Sequence, residues 1–159
     1  MCSILGIIGE EFPLQDILKR LKRMEYRGYD SFGYWDGQRL VRKVGKVSGE
    51  ESDQATVAIG HTRWATHGEV SEKNAHPHRA GKTTIVHNGI IENWREIKQE
   101  LQDEGAQFSS DTDSEVLSHF IERERQKNDM ERVLNKIVDV FRGTFSLVAS
   151  VENDYNLYV

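Results

Sequence analysis

Short apolar runs divide the chain into predicted β-strands. Ser3–Ile8 is apolar or small throughout and predicts a buried strand. Two runs separated by a tight-turn dipeptide, Asp36-Gly37, predict a hairpin of Phe32–Trp35 and Arg39–Val44. Four further runs predict strands, the last two as a second hairpin: Thr56–His61, Thr83–His87, Thr144–Val151 and Asn156–Val159.

Apolar residues at helical spacing predict helices between these strands. The first helix is expected to begin near Pro13, which suits a first helical turn, and to end before Gly28. The second is expected to be capped by Asn93 and to end at Gly105.

Two more helices follow in the second half of the chain. Thr112 and Glu115 have the spacing of a capping box and are expected to open the third. Asn128 or Asp129 is expected to open the fourth. Its inward face is predicted to consist of Val133, Leu134, Ile137 and Val138.

Length, charge and cysteine content narrow the class of protein. With 159 residues, one soluble globular domain is expected. The net charge of −5 argues against nonspecific nucleic-acid binding, and no apolar run approaches a membrane span. The N-terminus lacks a basic leader, so no signal peptide is expected. A single cysteine cannot form an internal disulfide, which fits a cytoplasmic location.

That single cysteine, Cys2, directly follows the initiator methionine. Methionine aminopeptidases remove Met1 when the second side chain is small, which would leave Cys2 with a free α-amine. An α-amine titrates at about 7.7–8.0, so near neutral pH it can accept the thiol proton. Cys2 would then be a nucleophile with its own base. The alternative is an incidental buried or surface cysteine, and the sequence downstream favours the nucleophile.

Polar and special-backbone residues concentrate at the predicted strand ends, where rigid elements usually present binding groups. Three such segments are His61–Gly68, Asn74–His78 and His87–Asn93. A fourth, Tyr26–Ser31, follows the first helix.

These segments, together with Cys2 and Thr112-Asp113, resemble in colinear order the glutaminase domain of the glutamine–fructose-6-phosphate aminotransferase (glucosamine-6-phosphate synthase) family. Such domains are class II glutamine amidotransferases of the N-terminal-nucleophile hydrolase superfamily. The most specific part is His-Thr-Arg-Trp-Ala-Thr-His-Gly at 61–68, followed by Asn-Ala-His-Pro-His at 74–78. A different class II amidotransferase is the alternative, but those forming phosphoribosylamine or asparagine lack this run.

The resemblance implies an α+β fold of the four-layer αββα type, with two antiparallel sheets packed between helices. The family's domain continues past the position of Val159, so residues 1–159 are expected to be an incomplete glutaminase domain, truncated at the C-terminal side, without the sugar isomerase domains. It also implies a homodimer for the full-length enzyme.

The implied reaction is hydrolysis of L-glutamine to glutamate and ammonia by Cys2. The tetrahedral intermediate needs oxyanion donors, and the resemblance assigns the Asn88 side-chain amide and the Gly89 backbone N–H. The ammonia would serve glucosamine 6-phosphate synthesis from fructose 6-phosphate, which would bind only through the absent isomerase domains. No metal or organic cofactor, nucleic acid or membrane is implied. A catalytically inactive remnant that serves as an interaction module, or one half of a split enzyme, is the alternative.

The resemblance assigns the amino-acid head of glutamine to a second group of residues. Arg63 would bind the α-carboxylate bidentately, as a planar guanidinium can. Thr66 and His67 would complete the carboxylate site, and Asp113 would pair with the α-ammonium. Taken singly, Arg63 could be a surface ion-pair partner, and Asp113 could merely favour a helix N-terminus.

Three further residues have implied roles around the nucleophile. Trp64 resembles the residue that gates ammonia passage, and Arg27 resembles one that helps to place Cys2. His76 lies in a loop expected to face the sugar-handling half of the whole enzyme. One departure is Ser3, because the family typically has glycine after the nucleophile, and a Cβ there could crowd the substrate.

A zinc site is the competing chemical interpretation. Imidazoles and a thiolate suit zinc, and Cys2 could join a group of five histidines. These are His61, His67, His76, His78 and His87. His76-Pro77-His78 is not a usual ligand pair and there is no second cysteine, so the amidotransferase interpretation is preferred.

Overall fold

The computed structural model describes residues 2–65 and 68–159, which form seven strands and four α-helices. The strands are β1 Ser3–Pro13, β2 Ser31–Trp35, β3 Leu40–Val44, β4 Gln54–Arg63, β5 His78–Ala80, β6 Thr83–Ile91 and β7 Gly143–Val151. The helices are α1 Gln15–Met24, α2 Trp94–Asp103, α3 Glu115–Glu124 and α4 Met130–Val140. One 3₁₀ turn, Glu25–Arg27, follows α1. No helix within these ranges is both long and apolar enough to cross a membrane.

Two antiparallel sheets form the centre of the fold, with strand orders β1-β4-β2-β3 and β5-β6-β7. Leu21 of α1 is buried against the outer face of the first sheet. Leu117 of α3 belongs to the apolar cluster between the second sheet and the remaining helices. Ile59 and Val86 pack together between the two sheets. The layers therefore run α, β, β, α, which confirms the predicted fold class.

Strand alternation carries polar residues to one end of the gap between the sheets. Val57 and Ile59 of β4 point into this gap, whereas Ala58 between them packs toward α1. The same alternation brings His61 and Arg63, at the C-terminal end of β4, to the gap-facing side. The inward positions of β4 are therefore apolar up to Ile59 and polar at its last two, His61 and Arg63.

Three predictions of local structure were wrong. Pro13 pairs with Gln54 at the end of β1 instead of opening α1, which begins at Gln15. Val138 is 76% exposed, because the core-facing side of α4 is narrower than predicted. The second hairpin reduces to a single bridge between Ala149 and Tyr158.

The predicted capping box at the start of α3 is also wrong. The Thr112 hydroxyl bonds to the His78 ring at 3.1 Å, not to the helix N-terminus. The Glu115 carboxylate reaches back past the helix start and accepts hydrogen bonds from the backbone N–H groups of Ser109 and Ser110. By contrast, Asp129 caps α4 through the Arg132 N–H, as expected.

Candidate active site

Cys2 lies immediately before β1, at the polar end of the gap between the sheets. Ile4 points into this gap, so alternation turns Cys2 toward the same side. Its Sγ accepts a hydrogen bond from the Trp64 N–H at 3.2 Å. A cleft of about 430 Å³ opens beside the thiol. Cys2 is therefore an accessible thiol held at a strand end, although Met1, and with it the predicted processing, lies outside the described residues.

Asn88 and Gly89 lie opposite Cys2, inside β6, where they pair with Ser146 and Phe145. The alternative of a tight turn at Asn88-Gly89 is therefore excluded. The Asn88 Nδ2 donates to the Cys2 carbonyl oxygen at 3.2 Å. Gly89 has a φ of +129°, and a Cβ on it would lie 2.1 Å from the Thr144 carbonyl oxygen. Only glycine fits this position.

Arg63, the last residue of β4, has its side chain folded against the following loop. It is 4% exposed, which does not fit a surface ion-pair partner. The guanidinium donates to the carbonyl oxygens of Glu69 and Gly68 at 3.3 and 3.4 Å. Burial lowers the pKa of Arg63, and the nearby carboxylates of Asp30 and Asp113 oppose this shift. A ligand carboxylate would compete with the two carbonyls for the same donors.

Asp113 lies on the other side of the same small cavity. It is buried, and its Oδ2 accepts the Ile91 N–H at 2.9 Å, so it is held by β6 and not by the start of α3. The cavity, about 30 Å³, brings most of the predicted site residues together. Those lining it are Cys2, Arg63, Trp64, His76, Asn88, Gly89 and Asp113. This volume is about that of one water molecule, but the cavity shares Cys2, Trp64, Asn88 and Gly89 with the larger cleft beside the thiol, which offers room for an amino-acid ligand.

Trp64 and Arg27 border the larger cleft on the solvent side of Cys2. Trp64 is 44% exposed, and its ring centroid lies 5.6 Å from that of Tyr29. Arg27 is half-buried and lines the cleft with Cys2. Thr66 and His67, which were predicted to contact the carboxylate, lie outside the described residues.

The His76 ring is buried between the sheets and stacks on that of His61, with the two ring centroids 4.1 Å apart. That its loop faces the sugar-handling half of a whole enzyme stays a prediction. His61, His78 and His87, which the sequence suggested only as ligands of the competing zinc site, are all buried around His76. The gap-facing alternation of β4 was the signal that could have identified His61. Among residues 2–65 and 68–159, no three His, Cys, Asp or Glu side chains converge in a way that could hold a metal ion.

A second large cavity, about 380 Å³, lies away from these residues and is lined by Trp35, Arg39, Asp53 and Tyr155 among others. It contains no thiol or histidine among its lining groups. We therefore place the candidate active site by its chemistry, at Cys2, and not by cavity size.

Several curated proteins are similar to the chain over most of its length. The "glutamine–fructose-6-phosphate aminotransferase [isomerizing]" of Aquifex aeolicus is 42% identical over 98% of this chain and 28% of its own length. Those of Thermotoga maritima and Thermococcus kodakarensis are 41% and 42% identical over 96% and 100% of this chain. The chain spans less than a third of the length of these relatives.

Solved structures show the same fold. The glutamine phosphoribosylpyrophosphate amidotransferase of B. subtilis matches 96% of this chain and 35% of its own, with a TM-score of 0.76 and 26% identity. A glutamine aminotransferase class-II domain protein from Silicibacter pomeroyi, 16% identical with a TM-score of 0.56, matches 96% of this chain and 73% of its own and agrees in fold alone. The family model described as "Glutamine amidotransferase domain" matches residues 1–150. The chain therefore belongs to the glutamine amidotransferase domain family.

Proposed function

We propose that this chain is a thiol glutaminase in which Cys2 hydrolyses the side-chain amide of L-glutamine to glutamate and ammonia. One observation carries the proposal. The Cys2 thiol, the Asn88 amide and the Arg63 guanidinium meet at one cavity between the sheets. Family membership supports the same substrate.

The first half of the reaction forms a thioester. Once Met1 is removed, the α-amine of Cys2 takes the thiol proton, and the sulfur attacks the amide carbon of glutamine. The carbonyl π electrons move to oxygen, where Asn88 Nδ2–H and Gly89 N–H would stabilise the oxyanion, each worth roughly 10²–10³ in rate. When the intermediate collapses, the C–N bond breaks, and the α-ammonium donates its proton to the departing ammonia.

The second half of the reaction releases glutamate. The neutral α-amine removes a proton from water, and the resulting hydroxide attacks the thioester carbonyl at the same oxyanion site. Collapse breaks the C–S bond, and the sulfur recovers a proton from the α-ammonium. One amide and one water give one carboxylic acid and one ammonia, and the enzyme is regenerated.

Recognition of the amino-acid head would come from buried charges of opposite sign. Arg63 would bind the α-carboxylate, with Thr66 and His67 completing that site, and Asp113 would pair with the α-ammonium. Trp64, beside the cleft, would control the exit of ammonia, and Arg27 would help to hold Cys2. We retain His76 as a buried wall of the glutamine site.

In a longer enzyme, the ammonia would have a sugar acceptor. The relatives named above carry the name glutamine–fructose-6-phosphate aminotransferase, and we propose the same use here, to make glucosamine 6-phosphate. Residues 1–159 would be the glutaminase part, with sugar isomerase domains elsewhere in a homodimeric cytoplasmic enzyme.

Glutamate release from L-glutamine by the purified chain tests the proposal, with Cys2→Ala and Cys2→Ser as controls. Both replacements keep a small second residue, so Met1 removal, checked by intact mass, should be the same in all three proteins. We expect release by the parent chain and loss of at least about 10³-fold in both variants. Absence of release from correctly processed protein that still binds glutamine would favour a non-catalytic binding module.

A further inference from the structure

Four histidines form a buried cluster directly behind Cys2: His61, His76, His78 and His87. The His76 ring centroid lies 4.1 Å from that of His61 and 4.6 Å from that of His78. Burial lowers the pKa of His61 and of His78 to about 3. These rings are therefore neutral at the pH at which the enzyme would work, and each carries one proton on one of its two nitrogens.

His61 is the member of the cluster that connects the two sheets to the nucleophile. From β4 its Nε2 lies 2.9 Å from the Asn88 Oδ1 and 3.1 Å from the His87 carbonyl oxygen, both on β6. Asn88 in turn donates from Nδ2 to the Cys2 carbonyl oxygen. A continuous hydrogen-bonded chain therefore runs from His61 through Asn88 to Cys2.

The backbone carbonyls of Cys2 and His87 fix the direction of each hydrogen bond between His61, Asn88 and Cys2. A carbonyl oxygen only accepts, so the Cys2 carbonyl requires Nδ2 of Asn88 and turns Oδ1 toward His61. The His87 carbonyl likewise requires a proton on Nε2 of His61. The reversed Asn88 amide would place two oxygens against each other at Cys2, at a cost no other contact repays.

We propose that His61 is a positioning residue for the glutaminase reaction, because its Nε2–H holds the Asn88 amide with Nδ2 facing Cys2. An amide nitrogen carries two protons, and the Cys2 carbonyl uses one, which leaves the other for the developing oxyanion. The inference rests on the proposed function, since it assumes that Asn88 stabilises that oxyanion. Without the His61 donor, Asn88 can rotate and present an oxygen where a donor is needed.

The His76 ring supports this arrangement because it stacks on the His61 ring and fixes its orientation. The His61 Nδ1 has no hydrogen-bond partner among the described residues, which agrees with an unprotonated nitrogen on that side. His78 offers a matched contrast, because it is equally buried but bonds to Thr112 and does not contact Asn88.

Three variants separate positioning from general packing. His61→Leu fills the space without a donor, His61→Gln returns an N–H near the Nε2 position, and His78→Leu is the packing control. We expect His61→Leu to lower kcat for glutamate release about 100-fold with KM within about threefold, as loss of an oxyanion donor does. The kcat of His61→Gln should be at least tenfold higher than that of His61→Leu, and the kcat of His78→Leu should stay within threefold of the parent value.

The double variant His61→Leu/Asn88→Ala tests whether His61 and Asn88 act together. If His61 acts through Asn88, the double variant should have the kcat of Asn88→Ala alone. Multiplicative losses, or a His61→Leu enzyme with kcat within threefold of the parent, would overturn the proposal. An inactive parent chain would instead count against the proposed function.

Nitrogen NMR of protein labelled at both histidine and asparagine decides the inference even without activity. We expect His61 as the Nε2–H tautomer, and slow exchange of the Asn88 side-chain amide protons that becomes at least tenfold faster in His61→Leu but not in His78→Leu. An Nδ1–H tautomer at His61, or unchanged Asn88 exchange, would overturn the proposal.

Discussion

The two sides of the candidate site are built differently. The catalytic wall, which we define as Cys2, Asn88 and Gly89, lies on or next to paired strands, and its groups are set by main-chain register. The recognition wall, which we define as Arg63, Asp113 and the loop 68–74, is held by side-chain hydrogen bonds, those of Arg63 and Asn74 to the Glu69 carbonyl in the loop and that of Asp113 to the Ile91 N–H at the end of β6.

This difference separates two properties of the site, the fixed geometry of its catalytic groups and its affinity for the substrate. Strand register fixes the relative positions of these groups and can be altered only by disturbing the sheets. The side-chain hydrogen bonds of the recognition wall contribute about 0.5–3 kcal/mol each, the upper part of that range for the charged Arg63 and Asp113, so affinity can change without loss of the fold. Substitutions in the catalytic wall should therefore change kcat or folding, and those in the recognition wall should change KM.

The largest expected effect comes from acid, because the folded state buries neutral histidines beside the catalytic wall. Burial lowers the pKa of His61 and His78 to about 3 and that of His87 to about 4. Unfolded histidines take up protons below about 6.5, so stability is full above that pH and falls as the pH drops toward the folded values, by about 1.4 kcal/mol per pH unit for each histidine.

Urea unfolding at pH 7.5 and 5.5 measures this loss. The window lies above the titration of carboxylates such as Glu115. Burial alone would raise the pKa of Glu115, but the nearby His119 ring and hydrogen bonds from Ser109 and Ser110 lower it. His78→Leu should reduce the dependence of the unfolding free energy on pH by the contribution of one histidine. Equal stability at the two pH values would mean that the cluster is not neutral.

Gly89→Ala should have the next largest effect and break the catalytic wall alone. The new Cβ would lie 2.1 Å from the Thr144 carbonyl oxygen, so β6 and β7 must separate where the Asn88 amide is placed. We expect kcat/KM to fall at least about 100-fold, by displacement of the oxyanion donors.

Gly45→Ala is the matched control for that substitution. Gly45 also has a positive φ, +91°, but a Cβ on it meets no atom within 4 Å. It should cost about 1 kcal/mol in unfolding free energy and leave kcat/KM within threefold. Equal kinetic losses in the two variants would assign the effect to φ and not to the contact with Thr144.

Asn74→Ala should weaken the recognition wall without changing the chemistry. The Asn74 side chain donates to the Glu69 carbonyl at 3.1 Å and accepts the Asp111 N–H at 2.9 Å, so it joins the loop that contacts Arg63 to the segment that carries Asp113. We expect KM for glutamine to rise about tenfold, which corresponds to about 1.4 kcal/mol, with kcat within threefold.

Asn128→Ala removes a similar amide just after α3, where the Asn128 side chain bonds to Glu124 and to no other residue within 2–65 and 68–159. Steady-state kinetics should show no change in KM for this control. A fall in kcat as large as the rise in KM in Asn74→Ala would mean that the two walls are not separable.

Much of this site was predictable because its residues follow strand alternation and chain order. Apolar runs located β1, β4 and β6 along the chain, although β4 and β6 continue to Arg63 and Ile91, past their predicted ends at His61 and His87. The resemblance then assigned Cys2 and Arg63. The His61–Asn88 bond was not predictable, because it joins residues 27 positions apart on different sheets and depends on how those sheets pack. The capping box failed for a related reason: His78, 34 residues from Thr112, competes for its hydroxyl.

The smallest effect is expected at Ser3, where the sequence departs from the glycine of its family. Alternation turns Ser3 away from the gap between the sheets, and its hydroxyl donates to the Met24 carbonyl at 3.4 Å, at the end of α1. The Cβ that was expected to crowd the substrate therefore lies on the opposite face of β1 from the Cys2 thiol. Ser3→Gly should keep kcat and KM within about twofold and lower stability by about 0.5–1 kcal/mol, the usual cost of glycine in a strand.

Parallel steady-state kinetics and thermal unfolding of Ser3→Gly measure both quantities, with Ser3→Ala separating the hydroxyl from the backbone. An increase in kcat of tenfold or more in Ser3→Gly, but not in Ser3→Ala, would mean that a Cβ at this position restrains Cys2 through the main chain. Strand register would then tune the nucleophile as well as place it, and the catalytic wall would be less rigid than its pairing indicates.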